Sequence, residues 1–306
     1  MNQTFLNHLD DYISEHHYRL VNSVVVYENN ELIFERYYNK FTTESRNNLK
    51  SVWKSILSLT LGICLDKGII SSIDESVCRY LQPFNKDIHP YHKRITIRHL
   101  LTMSSGIYWN GGVHYHCPMF EQLRRSRDWV EHLTDIQMTS LPGSVFQYKE
   151  WDVVLLSAVI STAAGKAAGE ICSEYLYKPL DIKYDPWPIS QCGVNYNVME
   201  GEERSDLSAH NLAKVGLLML HNGKWSRQQI VTEKYMKAAI TPSDVNGGYG
   251  LLWWLSDRGF HGRGFGGQEL NVYPDRNVVA VVQATPTPSN KSYRDICENL
   301  FNPDYS

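Results

Sequence analysis

Ser51-Val52-Trp53-Lys54 sets a hydroxyl and an amine three residues apart at the head of a long apolar run. That run, Ser51 to Asp66, holds no proline and no glycine before Gly62, and it reads as a buried helix. Residues three apart share a helix face, so the serine hydroxyl and the lysine amine can approach one another. The unpaired amides and the dipole at a helix start favour negative charge developing there. Desolvation lowers the pKa of a lysine enclosed by apolar residues, and its neutral amine then accepts the serine proton. The chemistry predicted is acyl transfer through a serine nucleophile. Taken alone, Ser-x-x-Lys also describes an N-cap serine followed by a surface lysine, so it needs company. Two other chemistries find less support. Thr102-Met103-Ser104-Ser105-Gly106 lacks the first glycine of a Gly-x-Ser-x-Gly elbow. His89/His92 and His114/His116/Cys117 lie in loop-like sequence outside any longer ligand pattern, and no metal or other cofactor is expected.

The company is found further along. Pro142-Gly143 precedes Tyr148 directly ahead of an apolar helix, WDVVLLSAVI. TIRHLLTMSSGI (Thr96 to Ile107), YGLLWW (Tyr249 to Trp254) and GFGGQELNVYPDRNVVAVV (Gly264 to Val282) complete an ordered set. In that combination the chain resembles the β-lactamase-related serine hydrolases. These include class C β-lactamases, D-alanyl-D-alanine carboxypeptidases, certain esterases and nylon-oligomer hydrolases. The resemblance runs from about Val24 to Val282. It implies that Ser51 is the acylated nucleophile and Lys54 its general base. It places Tyr148 at the tyrosine of the family's Tyr-x-Asn motif, shuttling protons to the leaving group and from the deacylating water. The third family motif, Lys-Thr-Gly or His-Thr-Gly on a strand edge, falls in His261-Gly262-Arg263-Gly264-Phe265-Gly266-Gly267-Gln268. Two registers are open: Gly262-Arg263-Gly264 as the equivalent, or His261 in the basic position. The resemblance further implies an oxyanion hole from the amides of Ser51 and Phe265.

Two departures bear on the substrate. Lys149-Glu150 stands where Ser-Asn is common, so the amide that contacts a β-lactam side chain is missing. The cationic Lys-Thr-Gly is also absent, unless Arg263 or His261 supplies the charge for a substrate carboxylate. Both changes weigh against a true β-lactamase and fit the esterase and amidase branches better, with a β-lactamase or D-amino-acid peptidase standing as an alternative. Glu150 reads two ways, as a carboxylate facing an amine-bearing substrate or as a solvated residue paired with a neighbouring cation. Asp152 reads as an orienting group or a helix-start aspartate. The expected function is hydrolysis of a small ester or amide. An acyltransferase or peptide cyclase would share the first half-reaction, and a silent binding protein would share the fold.

The elements that must hold these residues follow from periodicity. Phe5, Leu9, Tyr12 and Ile13 predict an amphipathic helix over about Thr4 to Tyr18. Ser23 to Tyr27 and Glu31 to Tyr38 flank Glu28-Asn29-Asn30 and read as a hairpin. The stretch from Asp74 to Leu220 is mostly helical pattern, with Gly165 as a C-cap. Strands return at Tyr249 to Leu255, Gln268 to Pro274 and Asn277 to Ala284, and a closing helix spans Lys291 to Leu300. The fold expected is α/β (α+β), serine β-lactamase-like. An antiparallel sheet built from both termini is flanked by helices and carries an inserted, mostly helical lobe. Residues 1–306 form one catalytic domain, with a sheet lobe of about 1–73 plus 221–306 and a helical lobe of about 74–220.

The 306 residues carry a formal charge of −3 and 42% hydrophobic residues. Nucleic acid and anionic membranes are not the expected partners. Arg124, Arg125 and Arg127 read as a solvated helix face. No apolar stretch approaches a membrane span and the first residues lack a secretory pattern, so a cytoplasmic location with free cysteines is expected. The aromatic set Tyr108, Trp109, Tyr115, Trp129, Trp151 and Trp187 suits a pocket lining or a core equally. The substrate's identity and the oligomeric state stay open.

Overall fold

The structure, a computed structural model, describes residues 2–110, 117–197, 206–289 and 291–302. Its frame is a six-stranded sheet in the order β2-β1-β10-β9-β8-β7. Two strands come from the amino end, β1 (Val21–Glu28) and β2 (Glu31–Tyr37), and four from the carboxy end. These are β7 (Trp254–Ser256), β8 (Gly259–Gly264), β9 (Gln268–Tyr273) and β10 (Val278–Ala284). Every neighbouring pair is antiparallel. Asn29 and Asn30 close the first hairpin with φ of 52° and 70°. A two-residue turn needs such left-handed backbone, which asparagine tolerates better than most residues. The remaining strand pairs are short: β3 (Asn47–Asn48) with β4 (Asp206–Leu207), and β5 (Lys224–Trp225) with β6 (Gln228–Gln229).

Side chains alternate across a strand, so the sheet has two apolar faces. Val25, Leu270, Val272, Val279 and Val281 join the main core. That core is shared with α3 (Val52–Asp66) and α9 (Ala209–Leu220). Val24, Val26, Tyr273, Val278, Ala280 and Val282 face the other way. There α1 (Gln3–Asn7), α2 (Leu9–Glu15) and α11 (Arg294–Asn299) cover them. With both faces covered, β10 is buried along its whole length.

Between β3 and β7 the chain is mainly helical. It forms α4 (Ile97–Leu101), α5 (Pro118–Arg125), α6 (Trp129–Thr134), α7 (Glu150–Ala164), α8 (Ala168–Cys172), α9 and α10 (Glu233–Ala239), besides α3. Gly165 ends α7 with φ 67°, as the sequence predicts. In α3 every residue from Val52 to Cys64 is buried, the mark of a core helix surrounded by protein. No single helix among the described residues is long and apolar enough to cross a membrane. The six cysteines are unpaired.

Two elements differ from expectation. The first helix is two, broken where His8 takes φ −107° and ψ 14°. The strand expected over Tyr249 to Leu255 survives only as β7, because Leu252 adopts φ 62°. Tertiary partners hold that turn. The Leu252 amide donates to the Leu101 carbonyl at 3.0 Å, and its carbonyl accepts the Ser55 hydroxyl at 2.8 Å.

Candidate active site

Ser51 occupies the N-cap position of α3, yet its side chain caps nothing. The turn into the helix is made by Lys50, whose φ is 48°, and Asn48 Oδ1 accepts the Lys50 amide at 2.9 Å. The Ser51 hydroxyl is thereby left for Lys54 Nζ, which donates to Ser51 Oγ at 2.9 Å. Ser51 retains 9% of its surface, whereas Lys54 is almost fully enclosed. Tyr148, half-buried just ahead of α7, lies beside this pair, with Lys54 Nζ 5.2 Å from the centre of its ring. Its ring stacks on Trp254 at 5.5 Å between centroids and meets Tyr249 edge-on. The three residues expected to act together thus converge from two helix starts.

Glu150 is the first residue of α7 and is buried. Its carboxylate takes the Lys54 ammonium at 2.9 Å on Oε1 and 2.7 Å on Oε2, and Tyr196 donates to Oε2 at 2.5 Å. Of the two readings of Glu150, the pairing with a cation holds, while its solvent exposure and its facing a substrate are corrected. It neither turns to solvent nor stands open to a substrate, because Lys54 and Tyr196 occupy its oxygens. The expectation of a neutral Lys54 changes with it. Burial lowers the Lys54 pKa, but the Glu150 carboxylate, with Tyr148 adding to it, overrides burial and the net direction is upward. Burial also raises the Tyr148 phenol, with Lys54 opposing. At rest the site holds an ammonium and a phenol.

Behind this layer, Asp152 accepts the Ser105 amide at 3.2 Å and the Ser105 hydroxyl, with Lys149 Nζ 3.5 Å away. Asp152 lies in the first turn of α7 and also ties that helix start to the Ser104–Gly106 turn, so both readings of it describe its place. Of the aromatic set, Trp109, Trp129, Trp151 and Trp187 are buried core, Tyr108 is half-buried, and Tyr115 lies outside the described residues. His114 and His116 lie outside them too. Among the described residues no group of three or more His, Cys, Asp or Glu is arranged to hold a metal.

The third motif is where the structure corrects most. A Cβ added to Gly262 would lie 3.2 Å from Val52 Cγ1 and 3.3 Å from Ser55 Oγ, so this position faces α3. Its neighbours His261 and Arg263 must then face away. Their cross-strand partners agree. His261 Nδ1 lies 2.7 Å from Asn271 Oδ1, and Arg263 pairs with Glu269, both on the outer side of the sheet. Neither His261 nor Arg263 can supply the cation for a substrate carboxylate. In the register Gly262-Arg263-Gly264, the positions facing α3 are glycines. Gly264 is needed there, since a Cβ would come within 2.6 Å of the Leu49 carbonyl. Its smallness brings the end of β8, and Phe265 after it, against the segment leading into Ser51. The Ser51 amide has no acceptor among the described residues, which leaves it available as an oxyanion donor. Tyr196 and Trp254 escaped sequence reasoning, since neither carries a local pattern linking it to Glu150 or Tyr148.

A family model described as Beta-lactamase matches residues 9–191, well over half of the chain. The D-alanyl-D-alanine-carboxypeptidase/endopeptidase AmpH of Escherichia coli K12 is 23% identical over 236 residues, 71% of this chain and 59% of its own length. The chain therefore spans well under two thirds of that curated relative. Among solved structures, a Bacteroides dorei DSM 17855 protein provisionally described as a β-lactamase superposes with TM-score 0.80 at 17% identity, covering 97% of each chain. EstCE1, described as a hydrolase with promiscuous acyltransferase activity, gives TM-score 0.76 at 14% identity over 98% of each chain. At such identities the structural matches speak for the fold.

Proposed function

Because this chain belongs to the Beta-lactamase family, we propose that it is a serine hydrolase forming an acyl-enzyme on Ser51 from a small ester or amide. The observation that carries the reading is the contact of Lys54 Nζ with Ser51 Oγ at 2.9 Å, with Lys54 Nζ also 5.2 Å from the centre of the Tyr148 ring. Ser51 attacks the carbonyl carbon and its proton passes to Lys54. Tyr148 protonates the leaving group and is resupplied by Lys54. Water then attacks the ester on Ser51 by the reverse route. The glycines of β8 that face α3 favour a substrate without a carboxylate at that position. The test is to expose the protein to short p-nitrophenyl esters, penicillins and a cephalosporin, following turnover and intact mass. Esters are expected to give the higher kcat/KM and a transient adduct on the Ser51 peptide. Efficient cephalosporin turnover with negligible ester cleavage would overturn the substrate assignment.

Glu150 sets the pH range of this chemistry. Lys54 must lose a proton to act as base, and its raised pKa delays that loss to more alkaline pH. Activity should therefore climb with pH beyond neutrality. Glu150→Gln keeps the shape and removes the charge, so burial is then opposed only by Tyr148 and the balance moves toward the neutral amine. The acid limb of kcat/KM is expected to move down by about 1 unit or more, the usual effect of losing a close opposite charge. A limb that stays in place would show that Glu150 does not control the Lys54 proton.

A further inference from the structure

His261 and Arg263, turned away from Ser51, face a cavity of about 480 Å³ between β8, β9 and α11. Arg294 from α11, Tyr273 from β9 and Arg258 from the β7–β8 turn also line it. Beneath them lies Glu269, its side chain 2% exposed. Glu269 Oε1 accepts Arg294 Nε at 3.2 Å, while Arg263 Nε stands 3.7 Å from Oε2, too far for a hydrogen bond. Both arginines are thus tethered through Nε to one carboxylate. Among the described residues, no acceptor takes the terminal nitrogens of either, nor does Arg258 or the Tyr273 hydroxyl have a polar partner. Two guanidinium groups that share a single carboxylate are only partly compensated. Burial and the neighbouring Arg294 both lower the Arg263 pKa, and burial pushes Glu269 up to about 7, weakening the one buried countercharge. Asp257 and Glu298 at the rim are exposed, where water screens them. His261 is held neutral, its pKa pushed down to about 4 by burial and by Arg263.

We infer that this cavity binds a small ligand bearing a phosphate or carboxylate group, gripped by the Arg263 and Arg294 forks with Tyr273 donating from the side. Planar guanidinium groups match such oxyanions two bonds at a time. The volume lies in the range of metabolite sites and exceeds what a bare ion fills. The site lies across the sheet from Ser51, so it stands whether or not the chain hydrolyses esters.

The test uses the full chain carrying Ser51→Ala, so that acylation cannot contribute. Calorimetric titrations with inorganic phosphate, glucose 6-phosphate and citrate at constant ionic strength report affinity and distinguish phosphate from carboxylate. Saturable binding by at least one is expected, weakened about 10-fold or more by Arg263→Gln and by Arg294→Gln, the scale of one lost charge-assisted contact. Arg124→Gln, on the exposed face of α5, should change nothing. Arg294→Gln keeps the test sound if Arg263→Gln fails to fold, because the Arg294 side chain is 49% exposed. No saturable binding of any of the three anions at about 10 mM, well above typical metabolite affinities, would overturn the inference. So would binding that neither cavity variant weakens.

Discussion

Ser51→Ala is expected to abolish covalent labelling by a fluorophosphonate and to remove turnover, by on the order of 10⁶ in kcat where a serine nucleophile acts with its base as a unit. The structure makes this a clean experiment. Although Ser51 sits at the N-cap of α3, its hydroxyl makes no capping bond, so the ~1 kcal/mol normally lost with a cap is not at stake. Lys54 keeps both oxygens of Glu150 when Oγ is removed, so no buried ammonium is stranded. The melting temperature should therefore move by no more than a few degrees. Undiminished labelling of a folded mutant would place the nucleophile elsewhere.

Tyr148→Phe should lower kcat by about 10²–10⁴, the usual cost of removing a positioned acid–base group. The ring does not depend on its hydroxyl for its place, because it stacks on Trp254 and packs against Tyr249. Phenylalanine preserves those contacts and deletes only the proton carrier. If the proposal holds, leaving-group dependence should steepen in the mutant, since esters with poor leaving groups need protonation most. Loss of stability with an unchanged rate would assign Tyr148 to packing instead. The measurement is kcat across a series of phenyl and alkyl esters, beside a thermal melt.

Much of this site was legible because its key partners are local or belong to ordered motifs. Ser51 and Lys54 are one helical turn apart, and any helix started at Ser51 brings them together. Tyr148 was legible through its place before an apolar helix in a chain with the other family motifs. The Asn29-Asn30 hairpin and the Gly165 cap were legible for the same local reason. Leu252 was not. Its left-handed backbone is held by Leu101 and Ser55, which lie far off in sequence, and an apolar run gives no sign of such a turn.

The charge state of the site was hidden at the same level. The sequence by itself determined which side chains could do the chemistry, the helix that presents Ser51 beside Lys54, and a sheet drawn from both ends of the chain. Only the tertiary structure decided what surrounds them. The Lys54 ammonium meets Glu150 across 96 residues, and Tyr196 caps that carboxylate from 46 residues further on. Burial alone would have made Lys54 a neutral base, and the buried Glu150 carboxylate together with Tyr148 reverses the direction. The roles of His261 and Arg263 turned on the parity of a strand. A residue type announces charge, but the face it occupies depends on register, and a one-residue difference separates the Ser51 side of the sheet from the cavity under α11.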